Sequence, residues 1–126
     1  MNQWVVLLYV GAGGAIGACS RYLISDYCAQ VFGKGFPYGT LVVNILGSFV
    51  MGILLAAINN ELISSAPWRQ LIGLGLLGAL TTFSTFSMDT VLLMQQGDVA
   101  KAGLNILLNV TFSISAAWLG FKLLNL

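Results

Sequence analysis

Residues 78–89 read GALTTFSTFSMD. From Thr81 to Ser87, five hydroxyl side chains and two phenylalanines fill seven consecutive positions of a chain that is otherwise almost wholly apolar. What flanks this stretch makes it decisive for the fold. Residues 67–94 are long enough to cross a bilayer core, which takes about 20 mostly apolar residues in helical form. Gly73, Gly75 and Gly78 lie just ahead of the hydroxyl cluster. Glycine beside Ser and Thr is where membrane helices bend or break, because hydroxyls re-satisfy the freed backbone groups. The expectation is a spanning helix broken near its middle, with polar atoms gathered at the break.

Composition agrees with a membrane setting. Of 126 residues, 58% are hydrophobic and 7% charged, and the mean hydropathy is +0.91. Soluble domains carry about 25% charged residues. The chain must therefore be solvated mainly by the lipid bilayer. A net charge of +1 supplies no basic field for nucleic acid. There is no histidine, and Cys19 and Cys28 are not in metal-ligand spacing. Zinc sites, His-based catalytic dyads and His-ligated haem are thereby excluded. Without a nucleophile–base pair, no enzyme is expected. Cys19 is expected to pack as a small thiol against a neighbouring helix.

Four segments have spanning length, at about 4–24, 38–58, 67–94 and 99–124, giving one all-α transmembrane domain over 1–126. The N-terminal segment has no positive leader region and is read as a retained first span. Gly33, Gly35 and Pro37 punctuate the first connection, Asn59 to Pro67 the second, and Gln95 to Asp98 the third. Pro67 is expected in the first turn of the third helix. Trp4, Tyr38, Trp68 and Trp118 fall near the predicted ends, as interfacial anchors do.

The charges that normally orient a membrane protein nearly cancel. Arg21, Lys34 and Lys101 are assigned to one side, and Arg69, Lys122 and the terminal amine to the other. Such balance fits insertion in both orientations and antiparallel pairing. That would give by dimerisation the inverted symmetry that transporters often encode as internal repeats. Small residues in 11-GAGGAIG-17 and at Gly47, Ser48 and Gly52 are expected to support close helix association. The first of these is not a dinucleotide fingerprint, because Ile16 stands where its third glycine belongs.

Polar groups inside a membrane cost free energy unless paired, so they face a bundle interior or a pathway. Asn44 stands alone in 38-YGTLVVNILGSFVMGILL-55, and its amide has two N–H donors to offer an anion. Asn105, Asn109 and Ser113 are spaced i, i+4, i+8 and form a polar stripe along one face of the fourth span. Phe83 and Phe86 share a face, and their ring edges carry the positive part of the aromatic quadrupole. Carbonyl oxygens at a break can ligate a hard cation. Asp89 falls about 12 Å beyond Thr81 at helical rise, where a water-solvated carboxylate is expected.

The segment 78-GALTTFSTFS-87 closely resembles the hallmark of the small bacterial fluoride channels, the Fluc or CrcB family. The likeness extends to GAGGAIGACSRY in the first span, YGTLVVN in the second and the NxxxNxxxS stripe in the fourth. It implies an antiparallel, dual-topology homodimer in the bacterial inner membrane, with two fluoride pores and a central structural sodium ion. The sodium would be held by the backbone carbonyls of Gly78 and Thr81. The phenylalanines facing fluoride would be Phe83 and Phe86, and the pore asparagine Asn44. Arg21 would draw anions in near the pore entrance, with Thr40, Thr82, Ser84, Asn109 and Ser113 on or near a polar track. Ala79 replaces a glycine common in relatives, and Asp89 a glutamate. The implied process is passive fluoride export, lowering cytoplasmic fluoride. Two other classes remain at this point: a proton-coupled multidrug exporter, which needs a membrane carboxylate, and a non-transporting accessory subunit.

Overall fold

The computed structural model describes residues 1–125, and every regular element among them is helical. In order these are α1 (Gln3–Phe32), α2 (Tyr38–Asn59), a π-helical segment (Arg69–Leu77), α3 (Gly78–Leu80), α4 (Phe83–Gln95) and α5 (Val99–Leu123). The π-helical segment, α3 and α4 together make the third span. Among the described residues, four helices are long and apolar enough to cross a membrane. The Asn2 side chain caps α1 by accepting the Trp4 N–H at 2.8 Å. Gly33 and Gly97, with φ of +82° and +84°, turn the chain out of α1 and α4.

The third span breaks after Leu80. Thr81 (φ −80°, ψ 154°) and Thr82 (φ −152°, ψ 119°) are extended, and α4 starts afresh at Phe83. Thr82 is its N-cap, with Oγ1 accepting the Thr85 N–H at 3.1 Å. Thr81 therefore belongs to neither helix. The expected glycine loosening is present upstream, where the Gly78 N–H is shared between the carbonyls of Gly73 and Gly75. The span begins at Arg69, so Pro67 stands just ahead of the first turn rather than within it.

Helix α1 is longer than its apolar run. It continues past Ile24 through 25-SDYCAQVF-32, which lacks Gly and Pro and is braced by a Gln30 to Asp26 side-chain hydrogen bond of 2.8 Å. Hydropathy marks depth in the bilayer, whereas breakers and caps mark where a helix stops. Arg21 is consequently internal to α1, level with the break in the third span, and is not a loop charge. The remaining cations near the span ends, Lys34 and Lys101 against Arg69 and Lys122 with the amine, stay close to balanced.

The glycine faces are used within the chain. A Cβ on Gly13 would strike the Leu71 carbonyl, and one on Gly17 the Leu76 carbonyl, so α1 lies backbone to backbone against the third span. Gly52 meets Ala117 and Gly120 meets Phe49 in the same way, joining α2 to α5. These contacts build the bundle, and the close helix association expected from the small residues is made within the chain at these positions. Val43, Leu54, Leu77 and Leu80 form the core between α2 and the third span. Cys19 lies on the outer face of the chain, and Cys28 is the buried thiol, the reverse of the packing expected for Cys19.

Candidate functional site

The break in the third span frees backbone carbonyls, and their fates differ. In an unbroken helix the Gly78 carbonyl would accept from the Thr82 N–H; that N–H is given instead to Asn44 Oδ1 at 2.8 Å. The Thr81 carbonyl would accept from the Thr85 N–H, which is taken by the Thr82 cap. The Ala79 carbonyl loses the Phe83 N–H and gains Arg21 Nε, at 3.0 Å. Gly78 is exposed on the protein surface at this depth. Among the described residues, no group of three or more Asp, Glu, Cys or His side chains is placed to hold a metal ion.

Asn44 is the strut across the break. Its Oδ1 accepts the Thr82 N–H, and its Nδ2 donates to the Thr82 carbonyl at 3.2 Å and to Asn109 Oδ1 at 3.0 Å. An amide has two N–H donors, so both are engaged inside the chain. The two donors the sequence offers to an anion are thus bonded to Thr82 and Asn109 within the chain. Asn109 Nδ2 in turn donates to Oδ1 and to the backbone carbonyl of Asn105, both at 2.9 Å. The two polar stripes of α2 and α5 thus face each other, with their amides paired.

A cavity of about 310 Å³ opens beside this strut, lined by Asn44, Ser48, Thr81, Thr82, Phe83, Phe86, Asn109, Val110, Ser113 and Ile114. The Phe83 and Phe86 rings are 5.5 Å apart and inclined at 60°. Phe86 is 8% exposed, whereas Phe83 is 78% exposed and projects from the chain. The Ser113 hydroxyl is buried yet has no hydrogen-bond partner. A buried hydroxyl without a partner costs free energy, and this one lies on the cavity wall.

A second, wider cavity of about 350 Å³ lies between the first connection and α4, lined among others by Ser25, Lys34, Thr40, Thr85, Asp89 and Gln96. Thr40 faces this space, not the one beside Asn44, and donates to Asp89 Oδ2 at 2.8 Å. Asp89 is therefore half-buried and hydrogen-bonded, not a fully solvated carboxylate. Thr40, Asn44 and Ser48 follow at i, i+4, i+8 on α2, so one helical face runs past both cavities.

Of the residues singled out from sequence, Asn44, Thr82, Phe83, Phe86, Asn109 and Ser113 meet at one cavity, with Thr81 on its wall. Thr40 lines the other cavity. Ser84 is exposed, with Oγ 3.3 Å from Thr82 Oγ1, and lines neither. Arg21 is pinned to Ala79 and also lines neither. Sequence reasoning passed over Ser48 as a small packing residue; its i+4 spacing from Asn44 was the available signal. Asn105 is fully buried, and Thr90, which had attracted no attention, is its partner.

Residues 8–121 match the family model described as CrcB-like protein, Camphor Resistance (CrcB). The chain belongs to the CrcB family. The resemblance carried by 78-GALTTFSTFS-87 is borne out over almost the whole length. CrcB relatives include a protein of Vibrio parahaemolyticus serotype O3:K6, named a fluoride-specific ion channel, 68% identical over 124 residues that cover 98% of each chain. A Vibrio vulnificus protein with the same name is 64% identical over 98% of each chain, and one from Photobacterium profundum is 60% identical over the same share.

Proposed function

We propose that this chain forms a fluoride-selective channel, passing fluoride down its electrochemical gradient across the bacterial inner membrane. The observation that carries the reading is near full-length identity, 68% over 98% of each chain, with a relative named a fluoride-specific ion channel. The cavity at the helix break supports it physically. Fluoride holds its water tightly, and a conducting path must replace that shell with close donors without binding so deeply that the ion cannot leave. The Ser113 hydroxyl and the ring edges of Phe83 and Phe86 offer attraction without a fixed positive charge. Because the Asn44 and Asn109 amides are committed to the chain, their part is to hold the wall, and hydroxyls and ring edges meet the ion.

The assembly is an antiparallel homodimer with two pores. Balanced terminal charges support dual insertion. The exposed Phe83 and the exposed Gly78 support a second copy covering the break, since both lie in the middle of the chain's third span. A structural sodium fits between the copies. The carbonyls of Gly78 and Thr81 have lost their helical donors to Asn44 and Thr82, which leaves hard oxygen ligands suited to such an ion. Sodium would supply positive charge that holds the two breaks together.

The test is anion efflux from liposomes containing only this purified protein, with valinomycin carrying the balancing potassium. A fluoride electrode reads one sample and a chloride electrode another. Rapid fluoride release without chloride release is expected. No fluoride release from inserted, dimeric protein would overturn the reading in favour of a coupled transporter or an accessory subunit.

A further inference from the structure

We infer that Thr90 and Asn105, which do not line the candidate pore, are positioning residues that set the direction of the hydrogen bonds holding the broken helix open. The inference rests on the channel reading for its functional consequence, but the geometry stands apart from it. Thr90 Oγ1 donates its single proton to the Phe86 carbonyl at 2.9 Å. It can therefore only accept from Asn105, whose Nδ2 approaches at 3.0 Å. That fixes the Asn105 amide with its Oδ1 turned the other way, to accept from Asn109 Nδ2 at 2.9 Å.

Asn109 must then present Oδ1 to Asn44 Nδ2, at 3.0 Å. Asn44 is left with Oδ1 for the Thr82 N–H, at 2.8 Å. Each amide is oriented by the one before it, and the first orientation is imposed by a hydroxyl with one proton. Asn105 is wholly buried and Thr90 nearly so, and a missing partner is costly there. Reversing any amide would set N–H against N–H or oxygen against oxygen along the row. The relay starts on the Phe86 carbonyl and ends on Thr82, so it ties both ends of the first turn of α4 to α2 and α5. Phe83 and Phe86 ride on that turn.

Thr90→Val removes the hydroxyl at nearly constant volume, and Thr90→Ser keeps it. Two readouts separate this relay from the transport reading: fluoride efflux from liposomes, and the side-chain amide NMR signals of Asn44, which do not depend on conduction. Thr90→Val is expected to shift the Asn44 signals and to slow fluoride efflux about tenfold, the scale of one buried hydrogen bond, while remaining dimeric. Thr90→Ser is expected to keep both properties. Unchanged Asn44 signals in a folded Thr90→Val protein would overturn the relay, as would a Thr90→Ser protein that behaves like Thr90→Val. If Thr90→Val does not fold, Asn105→Asp, which retains the acceptor but lacks the donor to Thr90, is read in the same two ways. Shifted Asn44 signals without any fluoride efflux from the unsubstituted protein would overturn the channel reading and leave the relay intact.

Discussion

Arg21 Nε donates to the carbonyl of Ala79 at 3.0 Å, and so replaces the backbone donor that the break in the third span takes away. The pair joins the middle of α1 to the break itself. A charged donor on a part-buried carbonyl within a membrane span makes a strong bond. Charge on the guanidinium also raises the local potential close to the candidate path without lining it.

Arg21→Gln should therefore act on stability before it acts on attraction of anions. Loss of the charged donor is expected to cost about 1.5–3 kcal/mol, read as a lower unfolding midpoint of the detergent-solubilised protein by tryptophan fluorescence. Arg21→Lys keeps the charge but not the planar fork, and should recover only part of the loss. An unchanged midpoint for Arg21→Gln would mean that the Ala79 bond is not holding the break.

Glycine substitutions should separate positions by what lies opposite them. Gly13→Ala drives a methyl into the Leu71 carbonyl, whereas a Cβ at Gly11 meets nothing within 4 Å. Overpacking against backbone costs about 1–3 kcal/mol. Gly13→Ala should give poorly dispersed protein on size exclusion, and Gly11→Ala protein indistinguishable from the parent. Equal behaviour of the two would show that α1 and the third span are not in backbone contact.

The two phenylalanines should part company in the same manner. Phe83 is 78% exposed and Phe86 is 8% exposed, although both rings bound one cavity. Phe83→Ile removes a ring edge but little packing within the chain, so fluoride efflux should fall about tenfold, the upper end of what one aromatic contact provides, with the fold intact. Phe86→Ile should lower both efflux and the unfolding midpoint. Full efflux through Phe83→Ile would remove the ring edges from the proposed path.

Much of this fold was legible in the chain because its signals are local. Glycine followed by Thr and Ser reported the break at Thr81 and Thr82, and the i, i+4, i+8 spacing reported that Asn105 and Asn109 share a face. Partner choice was not legible. That Asn44 spends both N–H groups on Thr82 and Asn109 depends on the register of three helices, which no spacing within one of them fixes. Arg21 was misplaced for a related reason. The apolar run ends near it, but a helix ends only where a breaker or cap stops it, and α1 meets none before Gly33. The spacing of Phe83 and Phe86 gave their common face and could not tell which ring is buried by the chain and which is left outside it.

Asp89 gives the sharpest separation between a channel and a proton-coupled exporter. It lies within a span, lines the wider cavity and accepts from Thr40 Oγ1 at 2.8 Å. Asp26 and Glu61 are exposed, and Asp98 lies in the connection before α5. An exporter must load and unload a proton on a membrane carboxylate, and a passive pore has no such step. Asparagine at position 89 has nearly the same volume and still offers an oxygen to Thr40, so Asp89→Asn removes proton exchange with little change to the wall. Fluoride efflux through Asp89→Asn should stay within about threefold of the parent, the scale of losing one partly screened charge beside the path. The efflux should also be insensitive to a collapse of the proton gradient in both proteins. Abolished transport in a folded, membrane-inserted Asp89→Asn protein, together with proton movement in the parent, would instead make Asp89 the coupling group and the cavity beside it a substrate site.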